Sequence, residues 1–211
     1  MSVSRREREK LMREEAIISA AEKLFSRQGY EHTSMDEVAA AAEFTKRTVY
    51  QYFEGKQTLY YAVVLRGMQR LLAGIRAADE DAPNGLERFR RMRLAAWRCA
   101  RTQADAFRVM SQIGVARGSA PNSVYEQQIS ALSSELFDVF RLVLEQGRLD
   151  DSIPGFADTQ EQFAAFFIII GTLARLGEVG GAYAELTGSD LDSFAALVLG
   201  LTDRLLFPSV K

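Results

Sequence analysis

The sequence has very few of the residues that most often carry catalysis or hold metals. Its 211 residues include one cysteine and one histidine. A single cysteine excludes an internal disulfide framework and a CxxC motif, and a single histidine excludes an HExxH helix or a histidine-rich metal site. No glycine-rich loop has the GxGxxG or Walker spacing. We therefore predict no catalytic residue, no metal ligand and no cofactor.

Prolines and long apolar runs are also scarce. Four prolines and little alternation of apolar and polar residues favour an all-α fold. The longest uncharged apolar run, residues 163–174, has twelve residues, which is too short to cross a bilayer. The amino terminus, "MSVSRREREKLMREE", is charged and lacks the apolar core of a secretory signal. These features predict a cytoplasmic protein without a membrane partner.

Three short helices are predicted near the amino terminus. Apolar residues recur at helical spacing in the range 13–28. Ser34 and Glu37 form the pattern of a capping box, in which each side chain satisfies a backbone donor at the start of a second helix. Thr45 can cap a third helix, and a fourth runs over 55–78. Three short helices with a tight turn between the second and the third predict a helix-turn-helix unit.

The third helix, "KRTVYQYF", has two chemically different faces. Val49 and Phe53 are four residues apart and are expected to point into a core, which leaves Lys46, Arg47 and Tyr50 on the outer side. Lysine and arginine can donate to guanine edges in the major groove, and tyrosine or threonine hydroxyls can reach phosphate oxygens. This pattern favours a DNA-reading helix over a solvated face with incidental charge.

The first 60 residues resemble the DNA-binding domain of TetR-family transcriptional regulators. The resemblance rests on Thr45, the run "TVYQYF" over 48–53, Lys56 and Leu59, and on the upstream segment "FSRQGYEHTSMDEVAAAA". It implies a homodimer that reads palindromic double-stranded DNA and is released from it by a small molecule. The DNA contacts expected on this basis are Thr33, Ser34, Thr45, Lys46, Arg47, Thr48, Tyr50, Tyr52 and Lys56.

Two positions depart from the family pattern. The turn of the helix-turn-helix usually contains glycine where this chain has Glu43. A residue other than glycine at positive φ costs about 1 kcal/mol, so we expect a slightly altered turn. Position 47, often glycine in the family, is arginine here, which adds a contact to a base or a phosphate.

The charges of the first 56 residues cancel, with ten basic and ten acidic side chains. DNA affinity must therefore come from the placement of the cations rather than from net charge. Arg5, Arg6, Arg8 and Lys10 precede the first predicted helix. They could follow a phosphate backbone or enter a minor groove. Alternatively they form a simple flexible leader, which the interleaved Glu7 and Glu9 favour.

The rest of the chain is predicted as five helices, at about 84–101, 104–117, 122–148, 158–183 and 189–207. The last two are apolar on nearly every side, and a helix of that kind needs partners all round. We therefore expect self-association through them, in line with the four-helix dimer interface that the resemblance implies. The predicted interface residues are Phe167, Ile170, Ala174, Phe194, Val198, Leu201 and Leu205.

Arg93 falls inside the apolar stripe of the helix at 84–101. A buried guanidinium needs a partner, because unpaired burial of a charge is costly. A salt bridge to a neighbouring helix and an anchor for a ligand in an aromatic cavity are the two alternatives. The residues predicted to line such a cavity are Arg93, Trp97, Phe107, Met110, Phe137, Phe140 and Phe166.

The expected architecture is all-α, with a DNA-binding domain at 1–56 that a fourth helix joins to a ligand-binding and dimerisation domain at 57–211. An α-helical enzyme with a helix-turn-helix appendage is an alternative, and so is a DNA-binding regulator that responds to no ligand.

Overall fold

The computed structural model describes residues 4–78, 82–111, 124–153, 159–166, 168–169, 171–172, 186 and 188–206. The predicted all-α class is confirmed, since the ordered elements in these ranges are helices. They are α1 (Arg5–Gln28), α2 (Met35–Ala41), α3 (Lys46–Tyr52), α4 (Lys56–Ala77), α5 (Gly85–Thr102), α6 (Ala104–Met110), α7 (Val124–Leu149), α8 over 159–166, and α9 (Leu191–Leu206).

The first helix begins eight residues earlier than the start predicted at residue 13. Ser4 is its N-cap: the Ser4 hydroxyl accepts from the Glu7 backbone N–H at 3.2 Å, and the Ser4 N–H donates to Glu7 Oε2 at 2.9 Å. This reciprocal pair satisfies two backbone donors that otherwise lack intrahelical partners. The charged segment at 5–10 is thus part of a helix, and the expectation of a flexible leader there is wrong.

Contacts group the chain into two compact units. Unit 1 comprises residues 1–68 and 105–131, and unit 2 comprises 69–104 and 132–211. Unit 1 therefore contains α1, α2, α3, most of α4, α6 and the start of α7. The functional division at residue 56 stays a prediction, because it concerns DNA binding rather than packing.

The core of unit 1 is built by the apolar faces of its helices. Ile17, Val38, Val49 and Phe53 have no exposed surface, and Phe25 has almost none. The completely buried residues lie at helical spacing on their elements, which is the pattern of amphipathic helices that share one core. Helices α1, α2 and α3 thus form the predicted helix-turn-helix unit.

Arg66 joins α4 to α1 through a largely buried ionic network. Its side chain is 10% exposed, and its two terminal nitrogens donate to Glu15, to the Ser19 hydroxyl at 2.8 Å and to Glu22 at 2.7 Å. The partner Glu22 is 15% exposed. Removing the arginine would leave that carboxylate buried without its counter-charge, which is strongly unfavourable.

Helix α6 is attached to the end of α1 by side chains 79–82 residues apart in sequence. The Ser26 hydroxyl donates to Asp105 at 2.5 Å, and Arg108 donates to the Ser26 carbonyl at 3.1 Å. The Tyr60 hydroxyl of α4 donates to the Val109 carbonyl at 2.7 Å. These three bonds fix α6 against two helices of unit 1.

Unit 2 has an aromatic core. Phe89, Phe137, Phe140, Phe163 and Phe166 form five ring contacts with centroids 5.1–6.2 Å apart. Such edge and tilted contacts stabilise a core beyond the apolar area that they bury. Within the described segments, no helix is both long and apolar enough to cross a membrane.

We predict that Arg66→Met lowers the free energy of unfolding by about 3 kcal/mol, because the buried Glu22 loses its counter-charge. Urea unfolding monitored by circular dichroism measures this. Arg5→Met is the matched control, since Arg5 pairs with Glu9 at the surface with 89% of its side chain exposed. The control should hardly change the unfolding midpoint. Equal effects of the two substitutions would contradict the assigned role of Arg66.

Candidate nucleic-acid interface

The second helix begins at a capping box, as predicted. The Ser34 hydroxyl accepts from the Glu37 N–H at 3.2 Å, while the Ser34 N–H donates to Glu37 Oε2 at 2.7 Å. These hydrogen bonds from Ser34 lower the pKa of Glu37. The preceding Thr33 is only 2% exposed, and its hydroxyl donates to the Gly29 carbonyl at 2.8 Å. Ser34 therefore lies at the surface, whereas Thr33 packs inside unit 1.

The turn between α2 and α3 contains the strained residue that the sequence predicts. Glu43 has φ of 60°, in the left-handed region. The Phe44 N–H donates to the Ala39 carbonyl at 2.9 Å and the Glu43 N–H to the Ala40 carbonyl at 3.1 Å. This is the Schellman arrangement, which normally places glycine at the left-handed position. The turn keeps the geometry typical of a helix end even though it carries glutamate.

The third helix has one fully buried face. Val49 and Phe53 have no exposed surface, and Thr45 caps the helix by accepting from the Thr48 N–H at 3.2 Å. The Thr45 and Thr48 hydroxyls are 2.9 Å apart and form a hydrogen bond. A short helix anchored at these points can be oriented by its tertiary packing alone.

The other face of α3 is exposed and cationic. Lys46 and Arg47 are exposed, and Tyr50 keeps 45% of its surface. Tyr52, at the end of the helix, is partly exposed. The predicted outward group of Lys46, Arg47 and Tyr50 is thus placed on one accessible surface.

Lys46 has a partner across the turn. Its Nζ lies 2.8 Å from Asp36 Oδ1 and 3.1 Å from Oδ2, and Asp36 is in the first turn of α2. The hydrogen bond with Asp36 raises the pKa of Lys46. Both side chains are more than half exposed, so this pair is available to a ligand. Sequence reasoning did not identify Asp36, because a ten-residue separation across a turn follows neither helical nor strand periodicity.

Lys56 lies in a different environment from the one predicted. Its Nζ donates to the Tyr30 carbonyl at 2.8 Å and to the Glu31 carbonyl at 3.1 Å, and it lies 4.5 Å from the centre of the Tyr30 ring. Lys56 thus ties the start of α4 to the connection between α1 and α2. Its contact with a phosphate stays a prediction.

The residues predicted to bind a ligand divide between the two units. Phe107 and Met110 belong to unit 1. The Met110 side chain packs directly on Gly67, since its sulfur lies only 2.6 Å from the position that a Cβ atom at residue 67 would occupy. Arg93 in unit 2 is 6% exposed, and its guanidinium carbon is 5.4 Å from the Phe89 ring centre. The predicted burial of Arg93 in the apolar stripe is therefore confirmed, and its two alternative roles stay predictions. The other residues predicted to bind a ligand, Trp97, Phe137, Phe140 and Phe166, belong to unit 2.

Trp97 also lines a cavity in unit 2. The cavity has a volume of about 450 Å³ and lies between residues of α5 and α9. Arg101 pairs with Asp192 there, and the hydrogen bond from Arg101 lowers the pKa of Asp192. The lining residues are Leu94, Trp97, Arg98, Arg101, Thr102, Asp192, Ala196 and Leu199.

Part of the predicted dimer interface can be located on α9. Phe194 and Val198 are partly exposed, and Leu201 keeps 48% of its surface. Leu197, on the same helix, keeps 59%. The predicted residues Phe167, Ile170 and Ala174, and the side chain of Leu205, lie outside the described residues.

Residues 17–63 match the family model described as bacterial regulatory proteins, tetR family. The chain is 35% identical over 74 residues to the HTH-type transcriptional activator FasR of Mycolicibacterium smegmatis, over 35% of this chain and 34% of FasR. The chain thus spans about a third of the length of the curated relatives it matches.

Solved structures share the fold over nearly the whole chain. A bacterial regulatory protein in the tetR family from Rhodococcus RHA1 has a TM-score of 0.77 and 22% identity, covering 92% of this chain and 97% of that one. The transcriptional regulator FadR from Bacillus subtilis, solved in complex with stearoyl-CoA, has a TM-score of 0.68 and 16% identity, covering 89% and 96%. At these identities the likeness establishes the fold.

We predict that Asp36→Asn increases the affinity for duplex DNA of any sequence. The substitution removes a negative charge beside the cationic face of α3 and releases Lys46 from its partner. The expected gain is roughly fivefold, the effect of one unit charge at about 4 Å in water. Fluorescence anisotropy with labelled duplexes measures it. Unchanged or weaker binding would show that Asp36 does not oppose the phosphate backbone.

Proposed function

The chain carries the amino-terminal domain of the TetR family of bacterial regulatory proteins, and from this premise we propose that it is a homodimeric, DNA-binding transcriptional regulator. The observation that carries the proposal is the two-sided α3. Val49 and Phe53 are fully buried on one side, and Lys46, Arg47 and Tyr50 are exposed on the other. FasR, to which the chain is 35% identical over 74 residues, is named a transcriptional activator, which supports this function over an enzymatic one.

Helix α3 is proposed to lie in the major groove. Lys46 and Arg47 can donate to the acceptor atoms of guanine, and Tyr50 can donate to a phosphate oxygen. Ser34 and Thr45, both exposed at helix starts, place their hydroxyls near backbone N–H groups that favour a phosphate. We leave Thr33 out of the proposed interface, because its side chain is buried and its hydroxyl is engaged with Gly29.

Two copies of the chain are needed to read a palindrome. The two recognition helices of a dimer must meet major grooves about 34–36 Å apart, one turn of the duplex. On α9, Leu197 and Leu201 are four residues apart and are about half exposed. Two large apolar side chains on one helix face favour an interface that buries them. This face supports a homodimer formed through α9.

We propose repression, released by a small molecule, as the direction of control, whereas FasR is named an activator. Helix α4 contributes residues to both units, and Arg66 fixes it to α1. A ligand that favours a different tilt of α4 would move α1 and change the spacing of the two α3 helices. Operator DNA must then weaken ligand binding by the same factor by which the ligand weakens DNA binding. Such a regulator acts in the cytoplasm, which is the location that we propose.

The recognition-helix assignment predicts that the double substitution Lys46→Ala and Arg47→Ala lowers affinity for a selected operator at least about 30-fold. Each good contact between a side chain and a base contributes about 1–3 kcal/mol. Gel shifts measure the loss, with an operator selected from the DNA that flanks the protein's own gene. Circular dichroism verifies the fold. Lys23→Ala with Arg27→Ala is the matched control, since it removes two exposed cations from α1. If both pairs of substitutions weaken binding equally, α3 does not read bases.

The dimer assignment predicts that Leu201→Asp converts the protein to a monomer. Leu201 is half exposed within one chain, so the charge is tolerated by the fold but not by a buried interface. Light scattering coupled to size-exclusion chromatography measures the mass. Leu149→Asp is the control, because Leu149 is 82% exposed and lies outside the predicted interface. A stable dimer of Leu201→Asp would refute an interface through this face of α9.

A further inference from the structure

We infer that the first three turns of α1 form a second DNA-contacting surface, a cationic stripe of Arg6, Lys10 and Arg13 that binds the phosphate backbone beside the groove occupied by α3. This inference rests on the proposed DNA-binding function and extends the interface from α3 to α1, the first helix of the same unit.

Helical geometry aligns the three cations. Arg6, Lys10 and Arg13 are separated by four and three residues, so they lie on one face of α1, which is helical from Arg5 onwards. All three are exposed. From Arg6 to Arg13 the helix advances about 10 Å, which equals the axial length of about three phosphates of one DNA strand.

This stripe borders the recognition helix. A groove of about 570 Å³ has Arg6, Lys10 and Arg13 of α1 on one side and Gln51 and Tyr52 of α3 on the other. Glu7 and Glu9 of α1 also line it. The amide of Gln51 and the hydroxyl of Tyr52 are further donors for phosphate oxygens. The groove thus reaches from α1 to α3, and beside its two carboxylates it offers three cations and two neutral donors to a phosphate strand.

The acidic residues of the same segment are engaged elsewhere. Glu7 is bound in the capping box with Ser4, which lowers the pKa of its carboxyl group, and Glu9 pairs with Arg5 at 3.0 Å. Glu15 is bound to Arg66. In the part of the chain that the structure describes, no ion pair engages the three cations of the stripe. Glu9 is therefore paired with a cation outside the stripe, whereas Glu7 keeps its negative charge at the groove. The three cations of the stripe outnumber this carboxylate, and they keep their charge for an external anion.

The occupant is a DNA strand because the stripe adjoins α3 and matches the spacing of phosphates. A contact of this kind carries no sequence information, but it contributes to affinity and to its dependence on salt. For each phosphate contact, the slope of log K against log salt concentration changes by about 0.9.

The test compares two double variants of the full-length chain that lose the same charge. Arg6→Gln with Lys10→Gln removes two cations of the stripe. Arg8→Gln with Lys23→Gln removes two exposed cations of α1 that do not line the groove. Binding to a mixed-sequence duplex of about 30 base pairs, long enough for two half-sites, is measured by anisotropy over a series of KCl concentrations.

We expect the stripe variant to have a salt slope shallower by about 2 per chain, while the control variant changes by less than half of that. Equal slopes for the stripe variant, the control and the wild type would overturn the inference and leave the proposed function standing. Absence of duplex binding by the wild type would instead refute the proposed function. Binding of the same proteins to vesicles of phosphatidylserine and phosphatidylcholine is measured as well. If the stripe variant loses only vesicle binding, the surface belongs to a membrane contact and the inference is wrong.

Discussion

The proposed interface depends on the burial of two side chains, Val49 on α3 and Phe53 at the C-cap of that helix. A helix of seven residues has little stability of its own, so its direction is set by the core on which it packs. Because both residues are completely buried, rotation of α3 about its axis would expose them and lose their apolar burial. The outward direction of Lys46, Arg47 and Tyr50 follows from this constraint. The chemistry of the outer face is thus fixed by the packing of the inner one.

The positions of the charged side chains are the second feature on which the proposed interface depends. The first 56 residues have no net charge, so the proposed binding of DNA depends on where the charged side chains lie. Acidic side chains are held by specific partners: Glu7 by Ser4, Glu37 by Ser34, and Glu15 by Arg66. Several of these contacts cap helices or join helices to each other, so the same carboxylates stabilise the fold. The cations of α3 and of the α1 stripe are exposed, and the stripe shares a groove with Gln51 and Tyr52 of α3.

Capping and turn residues in the sequence were sufficient to predict the helix-turn-helix. The capping box at Ser34 and the cap at Thr45 concern neighbours within a few residues, and the structure confirms both. Glu43 has positive φ, as predicted, but the turn keeps the hydrogen bonds of a Schellman motif, so the expectation of an altered turn is wrong. The pattern of Ser4 and Glu7 is the same capping box, and it could have located the start of α1. It was not followed by an apolar run, and helical periodicity alone therefore placed the start too late.

Contacts between residues distant in sequence could not be predicted in this way. Lys56 binds carbonyls 25 and 26 residues away, and Ser26 binds Asp105 across 79 residues. No periodicity relates such positions, because their proximity arises only after the helices have packed. Arg93 illustrates the intermediate case: its place in an apolar stripe correctly predicted that it is buried, while its partner depends on neighbouring helices.

The most direct test of the account is the selection of bound sequences from a pool of random duplex DNA by the wild-type protein. A dimer that reads DNA through α3 is expected to enrich an inverted repeat whose half-sites lie one helical turn apart, about 10 base pairs from centre to centre, with guanines at the positions that Lys46 and Arg47 reach. Recovery of unenriched sequences, or of a single half-site without a repeat, would contradict it.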